Sequence, residues 1–230
     1  MHYAPGASMS LDETQEYKKE ITYLKEKYRG KIDIFCGLEF DIFSEIDMSG
    51  YDYMIGSVHF LKLGDKYIAF DRRETALVKE TIDKWFDGNG MAFAREYYKT
   101  VASLPKYGEF DIIGHFDVIS KHNDRGHFFD EESKEYLSLA IEAMEALSGK
   151  IPYFEVNTGA IGRNYKTKPY PTETLLHEFK RLGFGAVISS DCHNGEFLDC
   201  HYREAEQLLK KCGFNEVYIL TKNGFIAVDI

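Results

Sequence analysis

Hydrophobic and polar positions along this chain follow two alternating periods, and the switches between them predict its elements. Residues 10–28 open with Ser10 and Asp12, set Tyr17, Ile21, Leu24 and Tyr28 at helical spacing and close at Gly30, which predicts an amphipathic helix. Short β-rich apolar runs predict strands in KIDIFCGLEF (31–40), where the apolar stretch ends at Gly37, in YDYMIGSVHF (51–60), FDIIGHFDVI (110–119), IPYFEVNTG (151–159) and GAVISSDCH (185–193). Between them residues 74–103, 130–148, 172–182 and 201–212 read as helical. The chain finishes with VYILTKNGFIAVDI, a hairpin pattern with Lys222, Asn223 and Gly224 at its turn.

Strands alternating with helices imply right-handed βαβ units and a parallel sheet, open or closed into a barrel. No repeat, low-complexity tract or linker divides the chain, so residues 1–230 are expected to form one α/β domain. The placement of polar side chains favours the barrel. Glu39 follows IDIFCGL, His59 follows YMIGSV, His115 follows FDIIG, Asn157 follows YFEV, and Asp191 with His193 follow GAVISS. In α/β barrels chemistry gathers on loops that leave the carboxyl ends of the strands, whereas an open sheet concentrates ligands at one switch point.

Composition narrows the partners. Lys plus Arg number 28 against 38 Asp plus Glu, and the net charge of −10 disfavours a wide grip on phosphate backbones, so no nucleic acid is expected. The apolar runs are far shorter than the ~20 residues of a membrane helix, and the start lacks a basic-apolar signal. A cytoplasmic location with no membrane partner is the expectation. Cys36, Cys192, Cys200 and Cys212 form no CxxC pair and read as reduced thiols.

Glu39, His59, His115, Asp191 and His193 make a nitrogen and oxygen donor set without thiolate, suited to Zn, Mn or Fe in a hydrolytic site. Glu39 could bridge two ions, and Asp191 and His193 could serve two ions from one loop at a strand mouth. Each residue also has a plainer reading. A His in a strand-end loop is usually a satisfied polar group, Glu39 could be a carboxylate at a helix start, and Asn157 a turn residue. Recurrence at the same end of successive strands is what the plainer readings do not predict. Arg163 in NTGAIGRNYKTKPYP carries a guanidinium fork suited to phosphate, and Arg125 in HNDRGH is a second candidate for which surface solvation is the better explanation. His122 and His127, in that same polar loop, fit a solvated or lid role. His177 fits a helix surface, His201 a helix start, and Cys36 strand packing.

The ordered segments GLEFD (37–41), GSVHF (56–60), DIIGHFD (111–117), EVNTGAI (155–161) and SSDCH (189–193) resemble the PHP (polymerase and histidinol phosphatase) metallophosphoesterases, and specifically their histidinol-phosphate phosphatase branch. The resemblance implies a distorted (β/α)7 TIM-like barrel with two or three divalent metal ions, hydrolysing L-histidinol phosphate to L-histidinol and phosphate in histidine biosynthesis. By the same resemblance Glu39 bridges metals, His59 and His115 complete one site with it, Asp191 shares a neighbouring metal and His193 belongs to a third. Glu39, Asp191 and His193 are thus expected to carry catalysis, and Arg163 and Asn157 to bind substrate.

The family begins with an HxH pair and a further His, and no HxH occurs anywhere in this sequence. Two βα units, at ~30 residues each, are therefore expected to be missing ahead of Met1. That would leave a barrel incomplete at its N-terminus, one metal in place of two or three, and exposed edges that favour a homodimer. His2, in MHYAP, is expected to belong to a frayed end. The expected function is a metal-dependent phosphomonoesterase acting on a small-molecule phosphate ester. The alternative is a truncated or degenerate PHP domain that binds metal or ligand without turnover, while a nuclease-like module is disfavoured by the acidic balance.

Overall fold

The Ser10 hydroxyl accepts from the Glu13 N–H while the Glu13 carboxylate accepts from the Ser10 N–H, a capping box that opens α1 (Leu11–Lys27) where the pattern places a helix. The computed structural model describes residues 8–230, and His2 lies outside them. Tyr17 of α1 donates to the Gly37 carbonyl and so docks the helix against β1 (Gly37–Asp41). This strand starts later than KIDIFC predicts. The Asp52 carboxylate takes the Cys36 N–H and the Asp52 N–H donates to the Cys36 carbonyl, so the ladder with β2 (Tyr53–Ser57) begins only at Gly37.

Two further departures follow. A hairpin absent from the pattern reading, β3 (Phe60–Leu63) and β4 (Lys66–Ala69), pairs antiparallel around Gly64, whose φ of +60 supplies the turn. The single helix expected over 74–103 is two, α2 (Thr75–Phe86) and α3 (Gly90–Val101). Asp87 ends α2 in the left-handed region, and Asn89 caps α3 by accepting from the Ala92 N–H. Next, β5 is only Ile112–Ile113, and a one-turn α4 (Asn123–Gly126) leads into α5 (Lys134–Leu147). The remaining elements are β6 (Tyr153–Asn157), the one-turn α6 (Gly159–Gly162), α7 (Glu173–Arg181), β7 (Gly185–Ser189), α8 (Tyr202–Lys211) and the expected hairpin β8 (Glu216–Thr221) and β9 (Gly224–Asp229).

Five strands form one parallel sheet in the order β1-β2-β5-β6-β7, which bears out the α/β reading. For the (β/α)7-type barrel, expected to be incomplete at its N-terminus, closure is not shown among the described residues. Their sheet runs from β1 at one edge to β7 at the other without closing, and β3-β4 and β8-β9 stand as separate two-stranded pairs.

Period-2 alternation gives the sheet two different faces. Phe154 stacks on Phe179 of α7 with ring centroids 4.2 Å apart, and Phe179 also meets Phe116 edge-on, so the even positions of β6 enter the helical core. The core continues to the Tyr98 and Tyr136 hydroxyls, which satisfy one another at 2.8 Å between α3 and α5. The odd position Tyr153 instead touches Tyr218 and Phe225 of the final hairpin. On that face a cavity of about 380 Å³ is lined by Tyr53, Ile55, Ile112, Val187 and Phe225, with Glu155 at its polar margin. The charged residues of interest stand at the carboxyl end of the same sheet.

Candidate metal centre

All five parallel strands deliver a polar residue at or just beyond their carboxyl ends, and three of these meet. Glu39 lies within β1, His59 two residues past β2, and His115 two residues past β5. Gly114 makes that approach feasible. A side chain there would place its Cβ 2.3 Å from the Ser57 hydroxyl and 2.9 Å from Ile55, so only glycine lets the chain leaving β5 pass this close to β2.

The three side chains converge tightly. His115 Nε2 stands 2.9 Å from Glu39 Oε1 and 3.0 Å from His59 Nε2, and His59 Nε2 is 3.3 Å from the same Glu39 oxygen. Burial works to raise the Glu39 carboxyl, but the hydrogen bonds from His115 and His59 outweigh it and hold the group well below the usual range. Burial likewise works to lower both imidazoles. For His59, hydrogen bonds to Asp41 and Glu39 win and raise it well above the ordinary value; for His115, Glu39 does the same.

These residues fit a metal ion. Three donors with mutual separations of 2.9–3.3 Å match one face of a tetrahedron around an ion with bonds of ~2.0–2.1 Å, whose edges are ~3.3 Å. Two imidazoles and a carboxylate are a borderline donor set that suits Zn, Mn or Fe. His115 is almost fully buried while Glu39 keeps 41% of its side-chain surface open, so the face is approachable from one side. Among the described residues this triad is the one grouping of three or more such side chains with metal-ligand spacing.

Asp191 and His193 stand apart from it. Asp191 adopts a φ of +44, unusual for a residue with a side chain, and its N–H donates to the Ser189 hydroxyl. Arg163 clasps Asp191, donating from one guanidinium nitrogen to the carbonyl at 2.6 Å and from the other to Oδ2 at 2.8 Å. The first nitrogen also lies 3.3 Å from His193 Nδ1, and His193 is otherwise largely exposed. Arg125 reaches the same loop, donating to the Asn164 carbonyl next to Arg163. Asn157 is fully buried. Its amide donates to Glu155 Oε2 and to Asp191 Oδ2, and its oxygen accepts from the Gly159 N–H.

The other histidines sort differently from the sequence reading in one case. His122 is buried rather than solvated, with one ring nitrogen 2.8 Å from the Arg72 carbonyl and the other 3.1 Å from the Thr75 hydroxyl. His122 immediately precedes α4, and the segment from Arg72 to the start of α2 occupies both its nitrogens. His127 and His177 are exposed, and His201 precedes α8, as expected.

Three residues that the sequence reading passed over shape the site. Asp41 contacts both the backbone N–H and the ring of His59. Glu155, raised by burial although His115 opposes this, accepts the His115 N–H at 2.8 Å. Asp71, just past β4, pairs with Lys121 at 2.6 Å. Burial works to raise Asp71, and the charges of Lys121 and His59 overcome it and lower the group. A period-2 reading of GLEFD and YFEVN would have found Asp41 and Glu155, which share strand faces with Glu39 and Asn157.

Comparison with known proteins adds a family. The PHP domain family matches residues 8–159. A probable histidinol-phosphatase of Deinococcus radiodurans is 28% identical over 213 residues, covering 89% of this chain and 75% of that protein. The histidinol-phosphatase of Lactococcus lactis is 29% identical over 231 residues, covering 94% and 78%. That of Bacillus subtilis is 28% identical over 222 residues, covering 90% and 79%.

Proposed function

Because this chain belongs to the PHP domain family, a family of metal-dependent phosphoesterases, we propose that it hydrolyses L-histidinol phosphate to L-histidinol and phosphate, as in histidine biosynthesis. The observation that carries the reading is the convergence of Glu39, His59 and His115 at the carboxyl end of a parallel sheet, in a chain whose relatives include histidinol-phosphatases. In this reading Glu39 Oε1, His59 Nε2 and His115 Nε2 hold a divalent ion. Such an ion supplies Lewis acidity toward a phosphoryl oxygen and a more acidic water at neutral pH.

The chain's own groups do the rest. The Arg163 guanidinium, now on Asp191, exchanges that partner for two phosphoryl oxygens, a match of planar fork to anion that Lys could not reproduce. Asp191 is thereby released to act with His193 as further metal ligands and as the groups that manage the proton of the attacking water. Asn157 holds Asp191 and Glu155 in place, since its amide already serves both carboxylates.

Phosphate release from L-histidinol phosphate, with Mn²⁺ or Zn²⁺ added, tests the reading. Turnover that disappears in Glu39→Gln and in His115→Ala is expected, and turnover unchanged in either variant would overturn it. One observation favours the alternative of metal binding without turnover: among the described residues only the triad converges, and Arg163 is closed on Asp191. That alternative expects about one metal per chain by elemental analysis and no phosphate release.

A further inference from the structure

We propose that Asp41 is the positioning residue of this centre, holding His59 in the Nδ1–H tautomer so that Nε2 offers its lone pair to the metal. The inference rests on the metal-site reading above and adds a residue to it. Asp41 lies two positions after Glu39 on β1, so a single strand face supplies both a ligand and the carboxylate behind another ligand. Its Oδ2 accepts the His59 backbone N–H at 2.8 Å and lies 3.3 Å from His59 Nδ1, while Oδ1 accepts the Phe43 N–H at 3.0 Å. The opposite ring nitrogen, Nε2, is the one that faces Glu39 and His115. Nδ1 and Nε2 each face a carboxylate at 3.3 Å, so once an ion occupies Glu39 and Nε2 the carboxylate left to hold the ring proton is Asp41, on Nδ1.

Two backbone N–H groups and the Nδ1 edge of the His59 ring thus face one carboxylate, whose two oxygens can accept on both sides. An amide cannot replace it. In Asp41→Asn the single carbonyl can serve either His59 or Phe43, and the NH₂ group then confronts a donor. If the NH₂ turns toward His59, the ring is stabilised with a bare Nδ1 and a proton on Nε2, which blocks the ligand position. His115 offers a contrast: its Nδ1 is buried with no hydrogen-bond partner among the described residues, whereas His59 Nδ1 faces Asp41.

The test pairs a spectrum with a titration. Long-range proton–nitrogen correlation NMR on the Zn²⁺-loaded wild-type protein should show His59 protonated at Nδ1. Calorimetric titration with Zn²⁺ alone should show affinity falling about 10–100-fold in Asp41→Asn, with the melting temperature followed alongside. A His59 found protonated at Nε2 in the wild type overturns the proposal and needs no variant to do so. Undiminished Zn²⁺ affinity in Asp41→Asn, even with a lower melting temperature, also overturns it, because a merely structural role would cost stability and leave binding intact. A wild-type protein that takes up no Zn²⁺ instead sinks the metal-site reading itself, and this proposal with it.

Discussion

At the scale of single residues the site region buries ionisable groups whose charge the interior disfavours, and Asp117 is the clearest case. Burial pushes its carboxyl up to about 6 from an ordinary 3.8, with the charge of Lys166 opposing; Oδ2 accepts the Thr172 N–H, and Oδ1 is buried without a partner among the described residues. The folded state therefore binds this proton more tightly than the unfolded chain does. Its stabilising contribution is complete below the unfolded value and is lost as pH rises through about 6. Asp117→Asn should remove that loss, so the variant's stability relative to wild type should climb by about 2–3 kcal/mol between acid and neutral pH. Urea melts across that range check it, and parallel pH profiles would refute it. Gly114 gives a second prediction at this scale. Gly114→Ala would drive a methyl into Ser57 and Ile55, costing about 1–3 kcal/mol and displacing His115, so Zn²⁺ affinity should fall together with stability. A variant that melts and binds like wild type would show that β2 and β5 can part at no cost.

The residue scale also shows how far the sequence could be read. Glu39, His59 and His115 were legible because each follows a β-rich run, and a repeated polar residue at one end of successive strands has no packing explanation. Asp41 and Glu155 were equally within reach of the period-2 rule and were passed over beside more familiar ligand types. Asp71 was out of reach once β3 and β4 went unrecognised, because its place depends on where that hairpin returns the chain. The commitments of the Asn157 amide could not be read at all. One of its partners, Asp191, is 34 residues away, and only the pairing of β6 with β7 brings it close.

At the scale of elements, the helices proved more legible than the strands. Helices α1 and α7 fall within a residue or two of their predicted ends, since 3.6-residue spacing, and for α1 the Ser10 cap, are local signals. The break between α2 and α3 was local too, in the run Asp87-Gly88-Asn89-Gly90, but two apolar faces continued across it and masked the turn. β5 shrank to two residues because Gly114 and His115 leave the pleat to reach the site, so the chemistry shortened the strand. Where an element only packs, the energetics are simpler. Phe179 joins α7 to the sheet through Phe154 and Phe116 and has no exposed surface. Phe179→Ala should cost about 3–5 kcal/mol in urea unfolding without altering Zn²⁺ affinity per folded molecule. A loss below ~1 kcal/mol would mean that the neighbouring aromatic rings collapse into the gap.

At the scale of the whole molecule, the site and the fold are joined through the edges of β1, β2 and β5. Each ligand sits on or just past a different strand, so an ion held by all three bridges segments as distant as residues 39 and 115 and is bound only by the folded state. Binding of that kind adds directly to stability. At ~100-fold excess over its dissociation constant, Zn²⁺ should contribute about 2.7 kcal/mol and raise the melting temperature by roughly 5–10 °C. The pH dependence has a definite sign. Hydrogen bonds to Asp41 and Glu39 prevail over burial and raise His59, and those to Glu39 raise His115, so in mildly acidic solution an incoming ion must displace protons from the nitrogens it needs. The thermal shift should therefore be large near pH 8 and shrink toward about pH 6, and in His115→Ala it should be small at both. A Zn²⁺-induced shift equal at the two pH values, or retained in His115→Ala, would place the ion elsewhere on this acidic surface and separate the triad from the chemistry assigned to it.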